Sequence, residues 1–132
     1  GLDLAGPITA EIYVSVDKPA TDLWVKVLDS GYNVMSPGLD VIRASYRNRR
    51  PARELLQPGT IYRLEIPTLL TANRFDRLRV LLMASFAPNM SRNLHTGRLE
   101  FDSAATDRAR ITVHMGGASA SRLIVPVVAP RR

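Results

Sequence analysis

The segment Gly117-Ala118-Ser119-Ala120-Ser121 is the chain's nearest approach to a hydrolase nucleophile. A nucleophile elbow reads Gly-x-Ser-x-Gly, because its strained strand-to-helix turn needs small residues on both sides of the Ser. Here the second Gly is missing and no helix-forming segment follows. His114 and Asp107 lie nearby in sequence. A triad is a spatial arrangement, however, and sequence proximity does not make one. A turn between two strands accounts for these residues. His95 and His114 are the only histidines, cysteine is absent, and no H-x-x-x-H or D-x-D-x-D pattern occurs. Zinc and calcium sites of the usual spacings are thereby excluded. Gly116-Gly117 lacks the helix whose N-terminus would hold a phosphate. Asp40, Glu54 and Glu65 fall in different segments and form no definable carboxylate pair. On its own residues the chain reads as non-catalytic, with no metal or cofactor implied. Trp24, the single Trp, is the one candidate ligand platform, of the kind that stacks on a sugar; core or interface packing is the competing role.

Charge offers a second kind of chemistry. Eighteen cations, sixteen of them Arg, face twelve acids for a net +6. Residues 43–53 carry Arg43, Arg47, Arg49, Arg50 and Arg53 without an acid, +5, and Arg131 and Arg132 add +2, leaving −1 for the remainder. The excess is thus local. Nucleic-acid binding is disfavoured, since aromatics total only eight and Tyr46 alone lies within the Arg cluster. Arg is well suited to bidentate pairing with carboxylates at protein interfaces. The candidate interface is accordingly Arg43, Tyr46, Arg47, Arg49 and Arg50, joined by Arg92 and Asn93 of a downstream loop.

The elements that must position these residues are strands. Ile8, Ala10, Ile12, Val14 and Val16 alternate with polar partners, which predicts a half-buried strand. Asp17 to Ala20 ends it as a turn. Leu23 to Leu28 follows, with Trp24 and Lys26 opposite Leu23, Val25 and Val27. Ser36-Pro37-Gly38 breaks the chain, and Val41 to Arg47 reads as a third strand, with Ile42, Ala44 and Tyr46 on one face and Arg43, Ser45 and Arg47 on the other. Pro58-Gly59 reads as a turn, Ile61 to Ile66 as a fourth strand closed by Pro67. Arg77 to Ser85 is apolar on both faces over Val80 to Ala84, which predicts a central strand. Asn89 to Gly97 is a polar loop, residues 98–108 receive no assignment, and Ala109 to His114 and Ser121 to Val127 close the chain. Seven or more strands with frequent turns and no long helix predict an all-β fold, a β-sandwich, over one domain spanning 1–132. No apolar run reaches membrane-spanning length. Gly1-Leu2-Asp3-Leu4 has the features of no signal peptide, and the lack of a starting Met fits a processed or excised piece. The compartment is not fixed by these features.

Several stretches, in order and nearly end to end, resemble the C-terminal domain of one group of serine hydrolases: the X-prolyl dipeptidyl-peptidases, cocaine-esterase-like hydrolases and α-amino-acid ester hydrolases. They are Asp3 to Thr9 with its Gly6-Pro7, Thr21-Asp22-Leu23-Trp24 through Asp29, Arg43-Ala44-Ser45-Tyr46-Arg47, Leu56-Gln57-Pro58-Gly59-Thr60-Ile61-Tyr62, and Thr71 to Phe75. Ser85, Pro88, Arg92, Asn93, Thr96 and Gly97 match a loop pattern, and Ser121 to Val127 the closing strand. Departures occur at Asp76-Arg77-Leu78, where the family's Gly-His pair is missing, at Ala87 and Ser91, which replace Phe and Asp, and at Met115 to Ser119. The resemblance implies a galactose-binding-like jelly roll that packs against an α/β-hydrolase domain, walls its substrate cleft and supports oligomers. The Ser, Asp and His of the family lie outside the matching segment. The family's domain normally has strands upstream of the match, so an open sheet edge and a dimer or higher oligomer are expected. The alternative is a stand-alone binding module for a carbohydrate or an acidic partner, built on Trp24, Tyr46 and the Arg strip.

Overall fold

The computed structural model describes residues 1–29 and 39–129. The Ser36-Pro37-Gly38 break and the Arg131-Arg132 tail lie outside the described residues. Among the described residues, seven strands form two antiparallel sheets packed as a β-sandwich: β1 (Leu2–Val16), β2 (Asp22–Leu28), β3 (Leu39–Arg43), β4 (Ile61–Phe75), β5 (Arg79–Met83), β6 (Ile111–His114) and β7 (Arg122–Ile124). One sheet has the order β4-β1-β6, with β7 on the same flank of β1 as β6. The other has the order β3-β2-β5.

The predicted alternation in β1 holds and extends upstream. Leu4, Ile8, Ala10, Ile12, Val14 and Val16 are all buried. They join Leu23, Val25 and Val27 of β2 and Leu64, Ile66, Leu69 and Phe75 of β4 in one continuous core. The Pro58-Gly59 turn also forms as read: Thr60 N–H donates to the Gln57 carbonyl at 3.1 Å, and Gly59 sits at φ +82°. Pro at the second position and a positive-φ Gly at the third are what a type II turn demands.

Four readings need correction. Pro67 does not close β4, which runs on to Phe75. The register passes from Ile8↔Leu69 to Ala10↔Ile66, so Pro67 and Thr68 together oppose Thr9. A β-bulge on an edge strand is a place where a residue without an N–H is tolerated. The third strand stops at Arg43 rather than Arg47, because a 3-10 turn at Ala44–Tyr46 buries both Ala44 and Ser45. The apolar segment after Arg77 is shorter than expected and is an edge strand, not a central one. Val80 and Leu81 are more than 40% exposed there. The last two strands shrink to β6 and β7, and residues 98–108 form no strand.

The two flanks of the sandwich differ. Beside β3 and β4 the sheets are tied by a hydrogen bond from Thr68 Oγ1 to Asp40 Oδ2 and an ion pair between Arg49 and Glu65. Beside β5 they stand apart around a cleft of about 210 Å³, lined by Ile12, Val80, Leu82, Val113, Met115 and Leu123.

The bulge makes a specific prediction. Leu69 is fully buried while its neighbour Leu70 is 60% exposed. Leu69→Ala should destabilise the chain by about 2–5 kcal/mol in urea unfolding. Leu70→Ala should stay within about 0.5 kcal/mol. Equal costs would refute this register.

Candidate functional site

The candidate residues converge on one end of the sandwich. The β1–β2 turn, the segment from Arg43 to Thr60 and the connection from Ala84 to Arg110 all lie there. They are laced together by backbone bonds such as Leu56 N–H to the Pro19 carbonyl and Ala44 N–H to the Thr21 carbonyl, at 2.8 and 3.0 Å. Arg53 donates to the Gly97 carbonyl from 44 residues away. Gly97 is required at that crossing: its φ is +76°, and a Cβ would sit 3.2 Å from Leu55 Cδ1.

At the centre is Asp22, the first residue of β2 and 6% exposed. Arg43, paired opposite it on β3, donates Nε to Oδ1 at 2.9 Å and Nη2 to Oδ2 at 3.0 Å. Asn93 Nδ2 donates to Oδ1 at 2.8 Å. Arg43 Nη1 also meets Glu100 Oε1 at 2.6 Å. The Asp22 hydrogen bonds, and then the nearby Asp22 and Glu100 charges, hold the Arg43 guanidinium above its usual range, against desolvation. The other end of the Asn93 amide accepts His95 N–H at 2.9 Å. His95, at φ +61°, places ring Nδ1 3.0 Å from the Ala20 carbonyl. A carbonyl only accepts, so Nδ1 carries the proton.

The other candidates divide by accessibility. Arg47 is turned inward: Nη1 donates to the Ala44 and Glu54 carbonyls at 3.1 and 2.7 Å, and its guanidinium lies 4.3 Å from the Tyr62 ring centroid. Arg49 reaches Glu65 at 3.3 Å but stays mostly exposed. Arg50 and Arg92 are exposed and meet no acid among the described residues. Tyr46 is 38% exposed and lies between two depressions, one toward Arg49 and Pro67, the other toward Arg53 and Asn93. Trp24 is 7% exposed and packs on Phe86 with ring centroids 5.2 Å apart, so it offers a sugar no open face.

A second polar network, missed in the sequence, crosses the outer face of the β1 sheet. Glu11 is 5% exposed although it points away from the core. Arg122, directly opposite on β7, and Arg63 on β4 each bond one of its oxygens. These hydrogen bonds, Arg63 first, hold the Glu11 carboxyl below its usual range despite desolvation. The Glu11 bond raises Arg63 in turn. Glu65 stands opposite Glu11, and Arg63 bridges the two like charges. The sequence signal was Glu11 itself, an acid on the polar face of the alternating strand.

The residues weighed for a triad are not joined. His114 Nε2 lies 2.9 Å from Ser15 Oγ, and Asp107 pairs with Lys18 at 3.3 Å. Ser121, not Ser119, closes the turn: its Oγ donates to the His114 carbonyl at 2.7 Å and accepts Tyr13 N–H at 2.9 Å. Among the described residues no group of His and acidic side chains could hold a metal.

Residues 1–124 match the model of the X-Pro dipeptidyl-peptidase C-terminal non-catalytic domain. The chain belongs to that family. Among solved structures it is similar to an aminopeptidase from the marine sediment archaeon Thaumarchaeota archaeon, with a TM-score of 0.82 over 97% of this chain at 19% identity. This member of the non-catalytic domain family spans 24% of that aminopeptidase chain. No protein of curated function matches it in sequence. The family membership accords with the β-sandwich of the two packed sheets.

Two predictions follow from the networks. Arg43→Ala strands the Asp22 carboxylate and should cost about 1–3 kcal/mol, whereas Arg50→Ala should stay within about 0.5 kcal/mol; chemical denaturation of both distinguishes a structural from an exposed Arg. Glu11, with a lowered folded value, contributes stability above the ordinary carboxylate value of 4.5, and that contribution is lost as pH falls through the folded value. Glu11→Gln should therefore flatten the acid limb of the stability–pH curve. An unchanged acid limb would contradict the network's role.

Proposed function

We propose that this chain is the later part of the C-terminal β-sandwich of a serine hydrolase of X-Pro dipeptidyl-peptidase or ester-hydrolase type. It packs on an α/β-hydrolase catalytic domain, in the same or another chain, and shapes that domain's substrate cleft. The observation that carries this reading is the family match over residues 1–124, in a chain that spans about a quarter of its structural neighbour. The domain itself supplies surface and rigidity, while the nucleophile, base and acid come from its partner.

In this reading the interface residues have two tasks. Arg49, Arg50, Arg92 and Tyr46 present themselves to the catalytic domain. Arg43, Arg47 and Asn93 hold the loops that carry them. Tyr and Arg are the types enriched at interface hot spots, for their large area and multiple donors. The open β5 edge and its apolar cleft form a second adhesive surface, which supports a dimer or higher oligomer. The alternative of a stand-alone carbohydrate module is weakened by the burial of Trp24.

Sequencing the reading frame on the 5′ side of the Gly1 codon tests the proposal. A frame continuing into a domain with Gly-x-Ser-x-Gly is the expected result, and a start codon directly before Gly1, with no hydrolase domain encoded in a neighbouring frame, would overturn it. Sedimentation of the 132-residue chain should show self-association that rises with concentration. A monomer at every concentration would rule out pairing through the β5 edge.

A further inference from the structure

The fold sets the positive charge of the Arg43–Arg53 strip, with the cations of residues 84–110, at one end of the sandwich. Residues 17–22, 43–60 and 84–110 hold ten of the eighteen cations but only six of the twelve acids. Apart from Arg131 and Arg132, the remaining residues balance at six of each sign. An excess confined to one surface attracts anions there and not elsewhere.

Pairing within the chain then separates cations that hold the fold from cations left over. Arg43, Arg47, Arg49 and Lys18 have carboxylate partners. Among the described residues, Arg50, Arg92, Arg98, Arg108 and Arg110 have none, and the Arg53 side chain meets only the Gly97 carbonyl. Arg92 and Arg108 flank a depression of about 460 Å³ that also includes His95, Thr106 and Asp107. Across Asn93 lies a second, narrower crevice, lined by Arg53, Arg98, Tyr46 and Glu100.

The ground between the two depressions is rigid. Asn93 is 5% exposed and has both ends of its amide engaged, to Asp22 and to His95 N–H. The bond from His95 Nδ1 to the Ala20 carbonyl fixes the orientation of the ring. Asp107, the acid of the larger depression, is already matched by Lys18. The site therefore needs little ordering before an anion arrives.

We propose that this end of the sandwich is a docking face for an acidic protein segment. One carboxylate is taken between Arg92 and Arg108, and a neighbouring one by Arg53 and Arg98. Guanidinium forks bind carboxylates bidentately, which suits separate, well-spaced acids. A polyphosphate backbone fits poorly: Asp107 and Glu100 line the two depressions, and Tyr46 is their one aromatic, whereas single-strand binders stack bases on several. The inference rests on reading the chain as a docking domain, and adds the chemistry of the surface on which it docks.

The test is titration of the ¹⁵N-labelled chain with a synthetic Glu-Ser repeat peptide at low salt. Amide shifts should cluster at residues 92–98 and 106–108. The double variant R92E/R108E should weaken binding by about tenfold or more. R77E/R79E makes the same charge change at the opposite end and should stay within about twofold of the parent. If the thermal midpoint of R92E/R108E falls, R92Q/R108Q carries the same comparison, matched by R77Q/R79Q. Equal weakening by both pairs, shifts centred elsewhere, or tighter binding of a single-stranded oligonucleotide by the same residues would overturn the proposal. Failure of the peptide to bind, beside a reading frame that does encode a hydrolase domain, would remove this inference and leave the packing role standing. Peptide binding by a chain encoded alone would do the reverse.

Discussion

The Asp22 carboxylate is the constraint on which the loop end depends. A buried charge is tolerated only when paired and hydrogen-bonded, because its desolvation is costly. Asp22 meets that demand with three donors from two distant segments, two from Arg43 and one from Asn93. The same pairing fixes β3 against β2 and pins the 93–97 loop over the β1–β2 turn. It also decides the fate of the Arg cluster. Arg43 is drawn into the fold, and the 3-10 turn that follows sends Arg47 back onto the Ala44 and Glu54 carbonyls. Arg50 and Arg53 are carried past that turn and keep their charge unmatched by any acid among the described residues.

The sandwich is uneven by construction. β1 serves as its spine, since its fifteen residues pair with β4 along nearly their whole length, and with β6 and β7 in turn on the other side. On the β3–β4 flank, short polar ties close the gap between the sheets. On the β5 flank no such tie is found among the described residues, and apolar side chains from both sheets face an open cleft. Free apolar edges are surfaces that natural sheets usually cover. That exposure supports the proposal that the domain packs against a further domain.

Legibility in the sequence followed the range of the physics. The alternation from Ile8 to Val16 and the Gln57-Pro58-Gly59-Thr60 turn are local, and both could be read directly. Pro67 misled because its meaning depends on the partner strand, where a single residue, Thr9, absorbs the bulge. Val80 to Ala84 misled because an apolar run reports what would be buried, not whether this chain supplies the cover. Arg53 and Gly97, or Asp22 and Asn93, are brought together only by folding, so the strip at residues 43–53 showed the charge excess but not which loops would stand beside it. The ordered family-like segments did carry the fold and the non-catalytic character, because they encode that long-range arrangement indirectly.

Hydrogen–deuterium exchange comparing this chain alone with the chain bound or joined to the hydrolase domain proposed as its partner tests the central claim most directly. Docking by the loop end predicts added protection at residues 44–56 and 92–108 in that complex, with the outer face of the β1 sheet unchanged. Equal exchange in those loops, with protection confined to the β5 edge or to the Glu11 face, would contradict the account.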